Sequence, residues 1–215
     1  MRPRTIVGPL LNFRGEWQAM EPAMSQEPHF KPPQHVVLYL KPSNTFSRDG
    51  EAIVLPAGVD QVRVGATLGV VIGAPASRLS EAEAMEFVRG YVPVNDVTVP
   101  HTAVLRPPIK QKCRDGFCPI GTEVPADRIG DVGAVEIRAY VNGELKATST
   151  TANLIRPLPK LLAAVTEFMT LEAGDILLVG VPENVPLARA GDLVAVEIVG
   201  VGQVENPIRA EGGEA

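Results

Sequence analysis

The 215-residue sequence is poor in cysteine and histidine, with two of the first and three of the second. Cys113 and Cys118 stand in a C-x4-C spacing with no second pair and no neighbouring histidine, which argues against a structural zinc site. A disulfide between them is open on geometry, but in a reducing cytosol both read as plain thiols. Long uncharged runs are also missing. The stretch 64–77, between Arg63 and Arg78, has fourteen residues with three glycines. That is short of the roughly 18 needed to span a bilayer. The opening MRPRTIVGPLL has a short apolar run with no small-residue cleavage site after it, so no signal peptide is expected and the reading is cytoplasmic. Positive charge is in deficit, 20 Lys and Arg against 25 Asp and Glu, which argues against nucleic-acid coating. A Walker-type phosphate loop and a G-x-S-x-G elbow are both absent, leaving nucleotide and serine-hydrolase chemistry unsupported.

Glycine and proline are plentiful, 20 of each, and spread along the chain. That spread predicts many short elements joined by turns. Strands are expected over His35–Lys41, Thr67–Gly73, Ala134–Val141, Ile176–Gly180 and Asp192–Val199. In the third, Val135, Ile137, Ala139 and Val141 share one face, and Asn142-Gly143 then supplies a hairpin turn into a return strand over Glu144–Thr148. Two short helices are predicted. The first starts at the Ser80–Glu83 capping box, carries Ala84, Phe87 and Val88 as its stripe and ends at Gly90. The second runs over Pro159–Met169, with Leu161, Leu162, Val165 and Phe168 at helical spacing. The fold class is therefore α+β, mostly β, with a rolled or mixed sheet. Residues 1–34, with Pro22, Pro28, Pro32 and Pro33, read as an irregular segment packed on a domain of residues 35–215.

The densest polar cluster is Lys110-Gln111-Lys112-Cys113-Arg114-Asp115-Gly116, continuing Phe117-Cys118-Pro119-Ile120-Gly121. Such a loop can hold an anionic substrate, with Arg114 gripping a carboxylate and a lysine serving as a point charge. It can equally be a solvated loop whose Asp115 pairs with a neighbouring cation. Upstream, Asn95-Asp96 sits at the end of an apolar strand, either as working groups or as a turn-forming pair. His29, His35 and His101 read as surface or turn residues, although His101, near Asp96 in sequence, would suit a base.

Gly90-Tyr91…Asn95-Asp96-Val97, then Lys112-x-x-Asp115-Gly116-Phe117-Cys118-Pro119-Ile120-Gly121, then Phe168-Met169-Thr170-Leu171-Glu172-Ala173-Gly174-Asp175-Ile176 resemble the fumarylacetoacetate hydrolase family. Lys41-Pro42-Ser43-Asn44-Thr45 fits its early strand-end motif, and the likeness runs in order from about residue 35 to 208. Within the family, the Lys112–Gly121 run is most like the branch that decarboxylates and isomerises small oxo acids in 4-hydroxyphenylacetate breakdown. The nearest part of that branch is the N-terminal of two related halves, elsewhere a separate subunit. The resemblance implies a mixed β-roll and a divalent cation, Mg²⁺ or Mn²⁺, held by an E-x-E pair and an aspartate. It implies a dienol or 2-oxo acid substrate and a lysine that stabilises an enolate. Carried over, Asp96 is the metal ligand and Lys112 the catalytic lysine, with Lys41, Arg114 and Asp115 near the substrate. The implied activity is 5-oxopent-3-ene-1,2,5-tricarboxylate decarboxylase and 2-hydroxyhepta-2,4-diene-1,7-dioate isomerase.

The departures point the other way. Gly65 and Thr67 stand where the E-x-E carboxylates belong, so any metal is expected to bind weakly. Gly180-Val181-Pro182 replaces G-T-P. A His–Glu dyad near residues 12–21 is missing, since Glu16 and Glu21 are present but the first histidine is His29. Hydrolysis of a carbon–carbon bond is thereby disfavoured. The alternative to an active isomerase/decarboxylase is a weak or inactive partner subunit, or an oxo-acid binder. In either case a homodimer, or a hetero-oligomer with a metal-bearing relative, is expected, with no nucleic acid and no membrane.

Overall fold

The structure, a computed structural model, describes residues 3–27, 29–101 and 107–212. Fifteen strands follow in chain order: β1 (Ile6–Leu10), β2 (Val37–Lys41), β3 (Phe46–Arg48), β4 (Ile53–Leu55), β5 (Val62–Arg63), β6 (Ala66–Ile72), β7 (Val88–Asn95), β8 (Cys118–Ile120), β9 (Val124–Pro125), β10 (Glu136–Val141), β11 (Glu144–Thr150), β12 (Ile176–Leu178), β13 (Leu187–Ala188), β14 (Leu193–Ile198) and β15 (Gly202–Ala210). Three helices accompany them: α1 (Arg14–Met24), α2 (Ile109–Lys112) and α3 (Leu158–Thr166). The larger sheet has eight strands in the order β2-β1-β12-β6-β7-β8-β3, with β9 alongside β7. The second has five, β11-β10-β14-β15-β4. Parallel pairs β1–β12, β3–β8 and β4–β15 make both sheets mixed.

The main core lies between the sheets. Leu68, Val70 and Ile72 of β6 enter it with Ile137 and Ala139 of β10 and Val194, Val196 and Ile198 of β14. The opposite face of the large sheet holds a smaller cluster of Ile6, Tyr39, Val71, Val92, Val94, Cys118, Ile176 and Leu178. Every residue of β6 is consequently buried. A strand covered on both faces reads as a continuous apolar run rather than an alternation.

The β10–β11 hairpin forms as its sequence predicts, with Asn142 and Gly143 both at positive φ, 54° and 76°. Helix α3 buries Leu161, Leu162 and Val165 as expected. It ends at Thr166, however, and leaves Phe168 exposed. Two expectations are corrected. The Ser80–Gly90 helix is reduced to a 3-10 turn over Ala84–Phe87, and Val88 opens β7 instead. Ser80 and Glu83 bond side chain to side chain at 2.5 Å rather than capping backbone amides. Residues 1–34 are not irregular throughout: β1 sits inside the sheet between β2 and β12, and α1 follows it. Pro9 is tolerated in β1 because β12 pairs only with Ile6 and Val7, leaving the proline beyond that ladder.

In the β1–β2 ladder Gly8 faces Tyr39, and the ring lies over the glycine; a Cβ there would stand 2.5 Å from the phenol oxygen. Gly8→Ala is therefore expected to push the Tyr39 ring out of place. The cost is about 1–3 kcal/mol in urea unfolding, the usual scale of overpacking. An unchanged midpoint would mean that the ring moves freely.

Candidate active site

Strand alternation brings Tyr39 and Lys41 of β2 to one side, since residues two apart point the same way. The site gathers where that strand end meets the end of β7. Asp96 follows β7 directly and is fully enclosed. Lys41 Nζ stands 3.0 Å from Asp96 Oδ1, and Lys112 Nζ stands 2.6 Å from Oδ2. The Tyr39 hydroxyl donates to Oδ2 at 2.5 Å. Lys112 also donates to Thr98 Oγ1 at 2.9 Å and lies 4.2 Å above the Tyr39 ring centre. Lys41 donates to the Lys112 and Val97 carbonyls at 2.7 and 3.2 Å. The side chains of Lys41 and Asp96 have no exposure, while that of Lys112 retains 8 %. Lys112 is thus the cation that a ligand can meet. Lys41, expected near the substrate, is sealed beneath and acts through Asp96.

Burial alone would raise the Asp96 carboxyl, but the charges of Lys112 and Lys41, and the bonds from Lys112 and Tyr39, outweigh it and hold it at about 2. Lys112 moves down, because the burial penalty on its charge, helped by repulsion from Lys41, outweighs the attraction of Asp96. The Tyr39 phenol is raised, by burial first and then by the Asp96 charge, so it remains a donor. Two ammonium groups and one carboxylate leave the enclosed cluster with one unbalanced positive charge, a setting that favours an anion.

The neighbouring motifs hold this frame. Asn44 donates to the Cys113 carbonyl at 3.1 Å and to Asp115 Oδ1 at 2.7 Å, and Gly116 N–H donates to the Asn44 carbonyl. The Lys41–Thr45 run therefore clamps the 113–116 turn. Asp115 is exposed and partnered by the Asn44 amide rather than by a cation. Arg114 is half-buried, and its Nε is shut from solvent without a partner. Asp175 accepts from the Thr5 and Glu172 amides, a structural role at the foot of β12. His35 is exposed, His29 and His101 are half-buried, and none belongs to the lysine–aspartate cluster. Cys113 and Cys118 are both free, and burial pushes the Cys118 thiol up to about 12.

The residues present do not suit a divalent metal. Among the described residues no three His, Cys, Asp or Glu side chains converge as a metal cage. A Cβ at Gly65 would overlap the Asp96 carbonyl oxygen, so the close approach of the two backbones depends on the missing side chain. Thr67 spends its hydroxyl on the Gly180 carbonyl at 2.6 Å. Both Asp96 oxygens already face ammonium groups.

Sequence reasoning missed Tyr39, Thr98 and Asn12. The i, i+2 relation of Tyr39 to Lys41 was a readable signal for the first. Asn12 is fully buried, donates to the Val179 carbonyl at 2.9 Å and accepts from Arg156 N–H at 3.0 Å, fixing the corner from which α1 starts.

Asp96→Asn should destabilise the fold by about 3–5 kcal/mol, because it strips the counter-charge from two enclosed ammonium groups. The native carboxyl lies below its unfolded value of about 3.9. Its contribution is therefore present above about pH 4 and is lost as pH falls toward 2. Acid unfolding curves should show this loss in the parent and not in Asp96→Asn; identical curves would contradict the assignment.

Residues 5–209 match the model of the fumarylacetoacetate (FAA) hydrolase C-terminal family. The chain is 40% identical over 207 residues to the 4-hydroxyphenylacetate degradation bifunctional isomerase/decarboxylase of Salmonella dublin, covering 96% of this chain and 47% of that one. It thus spans about half the length of that relative. The crystal structure of 5-carboxymethyl-2-hydroxymuconate delta-isomerase from Mycobacterium smegmatis superposes with a TM-score of 0.82 at 29% identity, over 98% of this chain and 80% of that one. Maleylpyruvate hydrolase from Sphingobium, in complex with manganese(II) and pyruvate, superposes with a TM-score of 0.80 at 25% identity, over 97% of this chain and 71% of that one. The β-roll, the ordered motifs and the end-to-end match lead to one conclusion: the chain belongs to the fumarylacetoacetate hydrolase family.

Proposed function

We propose that this chain is the metal-free half of a cytoplasmic isomerase/decarboxylase of 4-hydroxyphenylacetate catabolism, working with a metal-bearing relative on small oxo acids. The observation that carries the reading is the enclosed Lys41–Asp96–Lys112 cluster. It occupies the strand-end site with cationic excess, and Lys112 is its one member with any side-chain exposure. The pyruvate bound in the maleylpyruvate hydrolase neighbour supports the substrate class.

Loss of CO₂ from an oxo-tricarboxylate places an electron pair on the 2-oxygen. In this chain the Lys112 ammonium is the group that meets that oxygen, hydrogen-bonding the enolate in a site where competing water is scarce. Asp96 and Thr98 each accept one of the three ammonium protons and so hold the group in position, with the third left for the ligand. Arg114, two residues on, grips a carboxylate of the substrate. A partner that only completes a fold is the second reading, and the replacement of two carboxylates by Gly65 and Thr67 favours it.

Co-expression with a metal-bearing relative of the family is expected to give a stable complex that decarboxylates the oxo-tricarboxylate. In that complex Lys112→Met should raise the barrier by about 2.7–4 kcal/mol, the scale of one oxyanion donor. An equally active complex would leave this chain with the folding role alone.

A further inference from the structure

A lysine amine adds to carbonyl carbon most readily when it is desolvated or stands next to another cation, since both favour the neutral, nucleophilic form. Lys112 meets both conditions. It is buried, and with Lys41 it shares the single carboxylate of Asp96, at 2.6 and 3.0 Å. The two lysines differ in what surrounds them. Lys41 is sealed, with Asp96 Oδ1 and the Lys112 and Val97 carbonyls around its Nζ. Lys112 keeps a partly exposed side chain, and its Nζ donates to Asp96 Oδ2 and Thr98 Oγ1, with one direction left over. When Lys112 gives up a proton, Lys41 and Asp96 remain as a balanced ion pair. Its nitrogen can then turn a lone pair toward a ligand without leaving a buried charge unmatched. The other lysines, Lys31, Lys110, Lys146 and Lys160, are all exposed.

We propose that Lys112 is the nucleophile of this site and forms an imine through its Nζ with the oxo carbon of a 2-oxo acid. The assignment rests on the oxo-acid reading above and deepens it: the nitrogen that meets the 2-oxygen goes on to displace it. One ammonium proton passes to Asp96 Oδ2, already in hydrogen-bond contact with it. The freed nitrogen pair bonds to the oxo carbon, and the carbonyl pair moves onto oxygen, which takes the proton back from Asp96. A second nitrogen proton follows to that oxygen. The nitrogen pair then forms the carbon–nitrogen double bond, and the oxygen leaves as water. One ammonium and one carbonyl have become one iminium and one water, so charge and atoms balance. The iminium serves as the electron sink. When a carboxylate conjugated with it departs as CO₂, the bonding pair runs through the intervening double bond to nitrogen and leaves a neutral dienamine. A proton from solvent, added at carbon, restores the iminium, and water returns the oxo acid and the Lys112 ammonium.

Pyruvate with sodium cyanoborohydride is the probe, because the hydride reduces an iminium to a stable secondary amine; calorimetry without the reductant reads binding separately. The parent chain should bind pyruvate and, on reduction, gain the mass of one reduced pyruvate, which peptide mass spectrometry maps to Lys112. The exposed Lys31, Lys110, Lys146 and Lys160 give the background labelling in the same digest. Lys112→Arg keeps a positive charge beside Asp96 but has no nucleophilic amine, so it should bind pyruvate and lose the label. The parent digest decides by itself should that variant not fold. Bound pyruvate with no label at Lys112 above the exposed lysines overturns the imine and leaves the oxo-acid reading standing. Failure of the parent chain to bind pyruvate overturns the oxo-acid reading, and the imine with it.

Discussion

A single buried carboxylate organises this molecule. Asp96 stands without solvent between two ammonium groups and a phenol, and its partners arrive from two distant parts of the chain. Tyr39 and Lys41 come from an edge strand of the large sheet, Lys112 from a one-turn helix, and Thr98 from the loop after β7. Removing two charges from water is expensive, and only close pairing with filled hydrogen-bond positions offsets it. The surrounding backbone meets that demand for Lys41, while Asp96 Oδ1 is paired with it by charge and has no hydrogen-bond partner. The Lys112 and Val97 carbonyls take the protons of Lys41 that Asp96 does not, and the Asn44 clamp holds the turn that carries Lys112 onward.

The same arrangement explains the departures in the sequence. A metal cage needs several oxygen ligands with negative charge free to face the cation. Here the negative charge is already matched by ammonium, the Thr67 hydroxyl is turned to Gly180, and Gly65 permits a backbone approach that a glutamate would prevent. With Asp96 paired to both Lys41 and Lys112, the cluster has no carboxylate left to offer a divalent ion.

Much of this was readable beforehand. The β10–β11 hairpin followed from Asn142-Gly143, whose residues accept positive φ, and α3 followed from an apolar spacing that packing then used. Asp96 and Lys112 were singled out by motif. Other parts were hidden for physical reasons. The Ser80 box closed on its own side chains, and Gly90 serves the approach of β9, where a Cβ would stand 2.6 Å from the Val124 carbonyl oxygen, instead of ending a helix. Helix α1 buries only Met24 and contains Pro22, so its sequence carries little helical signal; its start is fixed by Asn12, whose partners lie more than 140 residues away. The sealing of Lys41 beneath Lys112 depends on three segments at once, which local pattern does not encode.

The central claim is that the enclosed lysine–aspartate cluster leaves no place for a divalent ion. Electron paramagnetic resonance of Mn²⁺ titrated with the chain alone tests it most directly. The account predicts that the free-ion signal persists undiminished at millimolar protein, both for the parent and in the presence of pyruvate. Stoichiometric loss of that signal on adding the parent chain would contradict it, and would require that Asp96 release its lysines to a metal.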